Sequence, residues 1–306
     1  MNESIPAKTS TDAITWREGR LSAVLPEYWE LTKPRLSFLV LVTTFVGFCM
    51  ASAGRLDWIR LLHTMLGTGF AAGGAAALNQ WIERRLDARM KRTVERPLPA
   101  GRLMPMEALI FGVSLCIVGL LYLTATVNLL ASFLTAMTIV SYLFVYTPLK
   151  TRTPLCTVIG AIPGALPPMI GWSAVEGRLS FGAWLLFGIL FCWQMPHFYA
   201  LARMYRDDYE LGGFPMLTVV DREGTRTGRE IVFYILALLN ISLLPTFVGM
   251  TGYLYFTTTL LLGLLFLAFG LVAAVRRTIV SSRKLFLASI FYLPAVLLVM
   301  VADKVA

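Results

Sequence analysis

Asn79, Glu83 and Asp87 recur at four-residue intervals within N-Q-W-I-E-R-R-L-D-A-R-M-K-R-T-V-E-R-P-L-P-A-G-R, residues 79–102, a stretch that holds ten charges. If one helix runs through them, each step of four residues drifts only about 40°, so three oxygen-bearing side chains line up on one face. Such a stripe suits a hard divalent cation. Mg2+ takes one or two carboxylates and completes its shell with water and phosphate oxygens. Arg89, Lys91, Arg92 and Arg96 follow, and Pro97 and Pro99 stop further helix. Arginine forks match phosphate oxygens, so the stripe and the cluster together can grip a metal-diphosphate. A topology loop whose acids pair with neighbouring arginines has the same composition.

Two further basic stretches carry candidate chemistry. Y-T-P-L-K-T-R-T, residues 146–153, offers Lys150 and Arg152. F-C-W-Q-M-P-H-F-Y-A-L-A-R-M-Y-R-D-D-Y-E-L-G-G-F-P-M, residues 191–216, offers His197, Asp207 and Asp208. Eleven residues make three helical turns, so His197 and Asp208 are expected to share a face. A histidine inside an apolar span is rare and functional by default, the alternative being a ring hydrogen-bonded within a bundle. Gly212 and Gly213 then end the helix and permit close backbone approach. His63, near the other end of its span, reads as interfacial. Cys49, Cys116, Cys156 and Cys192 are scattered singly, without metal-ligand spacing, and read as packing residues.

The elements that must position these residues are transmembrane helices. Of the 306 residues 57% are hydrophobic and 15% charged, with a mean hydropathy of +0.69, which excludes an ordinary soluble domain. Nine apolar runs are long enough to cross a bilayer, near 36–53, 61–81, 105–125, 128–147, 155–175, 180–202, 230–250, 253–275 and 285–302. The expected fold is an all-α bundle of nine transmembrane helices over residues 31–306, preceded by a polar cytoplasmic segment, 1–30. With the N-terminus inside, 23 of the 27 Lys and Arg fall on inner segments, so the N-terminus is expected in the cytoplasm and the C-terminus in the periplasm. The net charge of +9 is then topological and lipid-directed; no nucleic-acid partner is expected. The opening segment lacks a signal-peptide core and contains Glu3, Asp12 and Glu18, unlike an organelle transit peptide, so a bacterial inner membrane is the expected location. Tyr28, Trp29, Lys33 and Arg35 read as interface anchors for the first span.

The 79–98 run, Y-T-P-L-K-T-R-T at 146–153, G-A-L-P-P-M-I-G-W at 164–172 and W-Q-M-P-H-F-Y-A-L with D-Y-E-L-G-G at 193–213 together resemble the UbiA superfamily of intramembrane prenyltransferases. The Arg-Thr-x-x-Arg-Pro run and the Pro-His-Phe stretch point to its haem-modifying branch. The resemblance covers about residues 30–300. It implies transfer of a farnesyl group from farnesyl diphosphate to the vinyl group of haem B, with water supplying a new hydroxyl. It also implies that Asn79, Glu83, Asp87 and Asp208 are catalytic and hold Mg2+, and that Arg92, Arg96, Lys150 and Arg152 hold the diphosphate. His197, Tyr146, Phe198 and Tyr209 would position haem or the other substrate, with His197 either ligating haem iron or orienting a propionate. Trp81, Tyr142, Tyr146, Phe198 and Tyr199 are the aromatic candidates for facing an allylic cation. The superfamily's second acidic motif has carboxylates four apart, whereas Met204 and Gly212 stand at that spacing from Asp208, leaving Asp207 or Glu210 as further ligands. The lipid bilayer, and a haem A synthase or a terminal oxidase assembly factor, are the implied partners. Two other functions fit the topology. An aromatic-acceptor prenyltransferase of quinone pathways would share the metal stripe. A carrier of an anionic metabolite would place its charges at the midplane, whereas here they gather at the inner helix ends.

Overall fold

The computed structural model describes residues 24–305; Glu3, Asp12 and Glu18 lie outside them. Among the described residues nine helices are long and apolar enough to cross a membrane. They are α1 (Pro34–Ala51), α2 (Trp58–Asp87), α3 (Pro105–Thr126), α4 (Leu129–Leu149), α5 (Cys156–Glu176), α6 (Phe181–Met204), α7 (Thr225–Phe247), α8 (Tyr253–Arg276) and α9 (Ile279–Ala302). Their outward faces carry exposed apolar side chains such as Leu121, Phe133, Leu261 and Phe291. That is the surface of a multi-pass membrane protein solvated by lipid. The basic loops follow α2, α4, α6 and α8, at the end of the bundle where α1 begins, called the basic end below.

Two helices outrun their apolar cores. Hydropathy ends the second span near residue 81, yet α2 continues to Asp87, with Arg84 and Arg85 in its last turn, where cations complement the helix dipole. α9 starts at Ile279, six residues before the apolar run, because Thr278 caps it by accepting from the Ser281 N–H. The extension of α2 is what makes the acidic stripe helical.

Small residues let the bundle close. On α2 Gly74 lies directly against the Gly112 carbonyl and Cys116 of α3, so any side chain there would strike backbone. Pro163, Pro167 and Pro168 divide α5 into Cys156–Ala165 and Pro167–Glu176. α4 widens into a π-helical turn over Ser141–Tyr146, where the Thr147 N–H reaches the Tyr142 carbonyl. Pro148 supplies no N–H to the preceding turn and crowds it, and the wider register relieves the clash. Residues 24–31, mostly within the segment read as polar, are helical. Leu31 packs fully buried with Ala77, Leu98 and Ala108, and Arg102 bridges Glu27 and Glu30 at 2.8 and 3.1 Å. At the far end Asp303 accepts from the Tyr255 N–H at 2.7 Å, and Lys304 donates to the Cys49 and Ser52 carbonyls, tying α1, α8 and α9 together.

Candidate active site

Asn79, Glu83 and Asp87 occupy one face of α2, each no more than 4% exposed. Every one of them meets a cation. Lys33 Nζ donates to Asn79 Oδ1 at 2.7 Å, Lys150 Nζ to Glu83 Oε1 at 2.8 Å, and Arg96 Nη1 to Asp87 Oδ2 at 2.7 Å. The Asn79 amide also donates to Thr147 Oγ1 at 3.2 Å. Three elements besides α2 deliver the cations: the entry to α1, the end of α4 and the loop after α2. That loop is braced by Thr93 Oγ1, which donates to the Asp87 carbonyl at 2.8 Å.

Lys33, expected at the membrane interface, is instead part of this cluster. Its backbone is left-handed, φ 47°, and it immediately precedes Pro34, which opens α1. Burial, helped by the positive charge of Arg96, pulls its ammonium down to about 7. Burial also works against the Lys150 ammonium, yet Glu83 outweighs it and holds the group well above the ordinary lysine value. Lys150 Nζ further lies 5.0 Å from the Tyr146 ring centre and 5.6 Å from that of Phe214.

A cavity of about 250 Å3 opens beside this cluster and runs among α1, α2, α4, α5 and α6. Tyr142, Tyr146 and Tyr209 form its wall near the charges; Ala71, Ala75 and Ile139 line it along α2 and α4, and Phe198 and Gln194 along α6. Small residues on α2 give it width, and the π turn of α4 brings Tyr142 and Tyr146 into a stack with centres 5.7 Å apart.

The structure corrects several expectations. Asp208 does not share a face with His197, because α6 ends at Met204, Tyr205 leaves helical geometry, and Asp207 and Asp208 sit on a separate short helix, Arg206–Leu211. Gly213, at φ 75°, turns the chain back so that Phe214 packs against Tyr209 and beside Lys150. Asp208 is half-buried and has no ion pair among the described residues. His197 turns from the cavity towards α9, where its Nδ1 lies 2.7 Å from Ser289 Oγ. Trp81 and Tyr199 do not line the cavity: Arg84 lies over the Trp81 ring at 4.9 Å, and Tyr199 is buried in the main core. Arg92 stacks on Tyr205 at 5.5 Å, which joins two basic loops, and Arg152 is exposed. His63 bonds the Tyr122 hydroxyl at 2.7 Å, and the cysteines are unpaired.

Sequence reasoning missed Lys33, Thr147 and Gln194. Lys33 was hidden because a cation before a first span fits interface anchoring equally well. The signal for Gln194 was there: an amide in an apolar span needs partners, and it donates to the Ala161 and Leu190 carbonyls at 3.3 and 3.1 Å.

Among the described residues no three His, Cys, Asp or Glu side chains gather closely enough to enclose a metal. The donors present are oxygens along one helix face, which fits a magnesium ion carried largely by water and a phosphate-bearing ligand rather than an all-protein cage. The arrangement is an anion-binding rim of cations around an acidic stripe, at the mouth of an apolar cavity.

Known proteins resemble this chain in sequence and in fold. The chain is similar to protoheme IX farnesyltransferase of Solibacter usitatus, 48% identical and covering 91% of this chain and 98% of that one. It is 47% identical to the protein of that name from Opitutus terrae, covering 92% and 96%. Among solved structures, a digeranylgeranylglyceryl phosphate synthase superposes with a TM-score of 0.78 at 17% identity, covering 91% of this chain and 98% of that one. A UbiA homolog from Archaeoglobus fulgidus bound to DMAPP and Mg2+ gives 0.59 at 15%, covering 89% and 99%. With the signature of the UbiA prenyltransferase family matched over residues 40–293, the chain belongs to that family.

Proposed function

We propose that this protein transfers the farnesyl group of farnesyl diphosphate to a vinyl group of haem B, giving haem O. The observation that carries the reading is the likeness to proteins named protoheme IX farnesyltransferase, at 47–48% identity over more than nine-tenths of both chains. The rim of cations around the acidic stripe supports it. We place residues 31–306 as one catalytic unit after a cytoplasmic segment, in a bacterial inner membrane with the basic end facing the cytoplasm, consistent with the bias of Lys and Arg to that end.

The residues have distinct tasks. Lys33, Arg96 and Lys150 sit where a diphosphate would meet the stripe, and Arg92 and Arg152 extend the positive surface. As the bond between farnesyl C1 and oxygen breaks, these cations stabilise the charge growing on the departing diphosphate. Asn79, Glu83 and Asp87, with Asp208 from the short helix after α6 and Asp207 as a further donor, would hold Mg2+. When bound, that ion neutralises diphosphate oxygens as a Lewis acid. Tyr142, Tyr146 and Phe198 offer ring faces to the allylic cation, and Tyr209 closes the wall at the mouth. The apolar cavity holds the isoprenoid tail and keeps water from the cation. The terminal vinyl carbon then bonds farnesyl C1, water adds its oxygen to the inner vinyl carbon, and the proton released leaves with the diphosphate. A haem A synthase or terminal oxidase assembly factor is the natural recipient.

The acceptor tests the reading. Purified protein with Mg2+ and farnesyl diphosphate is offered haem B and 4-hydroxybenzoate in separate reactions. Prenylation of haem alone is expected. Prenylation of 4-hydroxybenzoate alone would assign the protein to the quinone-type acceptors, and uptake into liposomes without covalent product would make it a carrier.

A further inference from the structure

The side-chain amide of Gln194 is engaged on one side only. Its Nε2 donates to the Ala161 carbonyl, on the first half of α5, at 3.3 Å and to the Leu190 carbonyl, on α6 itself, at 3.1 Å. Both amide protons are then used, and turning the amide over would set its oxygen against two carbonyl oxygens. Oε1 accepts from no group among the described residues and is not sealed inside the protein. Gln194 is only 5% exposed and lines the cavity, so that oxygen opens onto it. Gly164 makes the room: it lines the same wall, and a Cβ there would overlap Oε1. One turn nearer the basic end, a Cβ at Gly160 would strike the Tyr146 ring, whose centre lies 5.0 Å from Lys150 Nζ. Oε1 thus sits four residues of helix, about 6 Å, below the aromatic wall beside the cations.

A carbonyl facing an apolar cavity is costly unless something donates to it. Neither the vinyl group nor the farnesyl chain carries a donor, whereas the proposed reaction consumes one water. A buried water needs at least two polar partners; Thr157, one turn before Ala161, brings a hydroxyl to the same cavity. We propose that Gln194 Oε1 holds and orients the water that becomes the hydroxyl of the product. This inference rests on haem being the acceptor. Bonding of the terminal vinyl carbon to farnesyl C1, as diphosphate leaves, puts the positive charge on the inner vinyl carbon. With one O–H donated to Oε1, the water presents a lone pair to that carbon; the C–O bond forms, one O–H breaks and the proton leaves with the diphosphate. Without a held water the same cation loses a proton from the adjacent carbon and ends as an alkene, lighter by one water. One anchored water also lets a cavity that is otherwise dry supply a hydroxyl.

The ratio of the two products tests it. Haem B, farnesyl diphosphate and Mg2+ are incubated with detergent-purified protein, and the hydroxylated and alkene farnesyl haems are separated by chromatography and weighed by mass spectrometry. Wild type should release the hydroxylated product almost alone. Gln194→Leu, of similar size but without an acceptor, should raise the alkene-to-hydroxyl ratio roughly tenfold or more, the worth of a lost hydrogen bond, whatever its overall rate. Gly164→Ala, which keeps every polar group but displaces Oε1, should shift the ratio the same way and carries the test if Gln194→Leu fails to fold. An unchanged ratio in either folded variant would overturn the assignment and leave the haem reading standing. So would complete loss of farnesylation in folded variants that still bind farnesyl diphosphate, since Gln194 would then act before the water step. Failure of wild type to farnesylate haem would overturn both.

Discussion

Replacing Lys150 by methionine separates what the charged cluster does for stability from what it does for turnover. Lys150 and Glu83 are 2.8 Å apart with side chains 16% and 5% exposed, so neither charge is well solvated. Removing the ammonium leaves the Glu83 carboxylate without its direct partner, and breaking such a buried pair costs roughly 3–5 kcal/mol. The residual exposure of Lys150 puts the expected loss near the lower end, about 3 kcal/mol. Exchanging both members, Lys150→Met with Glu83→Gln, removes the stranded charge and should return stability to within about 1 kcal/mol of wild type, since a buried pair adds little net stability over neutral replacements. Turnover should not return, because both a diphosphate cation and a metal-facing oxygen are gone. Unfolding in mixed detergent micelles, followed by circular dichroism alongside prenylation assays, measures both. A single variant as stable as wild type would refute the burial argument. A double variant that regained activity would refute the role given to Glu83.

Three further outcomes follow. Asp87→Asn and Asp208→Asn should each abolish turnover; Asp208, half-buried and without an ion pair among the described residues, should do so with a stability change within about 0.5 kcal/mol, and near-normal activity in either would remove that residue from the metal site. Arg96→Lys should raise the KM for farnesyl diphosphate roughly ten- to hundredfold, the worth of a charged hydrogen bond, and an unchanged KM would leave Arg96 as a brace for Asp87 alone. At Asp221 burial works to raise the carboxyl, but the Thr227 N–H and hydroxyl, at 2.7 and 2.8 Å, hold it below the usual carboxylate range. Its stabilising effect is therefore present above about pH 4 and is lost as pH falls through the depressed value; Asp221→Asn should cost about 1 kcal/mol at pH 7, and melting curves should converge with wild type once the pH lies below that depressed value.

The nine helices were legible because lipid forces long apolar runs and basic loops. The acidic stripe was legible because the four-residue spacing of Asn79, Glu83 and Asp87 has meaning only on a helix. Where periodicity was carried across a break, it failed: nothing in M-Y-R-D-D announces that Tyr205 ends α6, and so His197 and Asp208 were wrongly set on one face. Lys33 illustrates a second limit. Its partner Asn79 is 46 residues away, and contact at that separation is decided by packing of α1 on α2, which hydropathy does not specify. The π turn that aims Tyr142 and Tyr146 into the cavity has Pro148 as its only sequence trace.

The most direct test of the proposed reaction is mass spectrometry of haem recovered after incubation with farnesyl diphosphate and Mg2+ in 18O-labelled water. Haem carrying one farnesyl group and one hydroxyl whose oxygen is labelled is expected, with the product lost on adding EDTA. Haem recovered unchanged from folded, diphosphate-binding protein would contradict it.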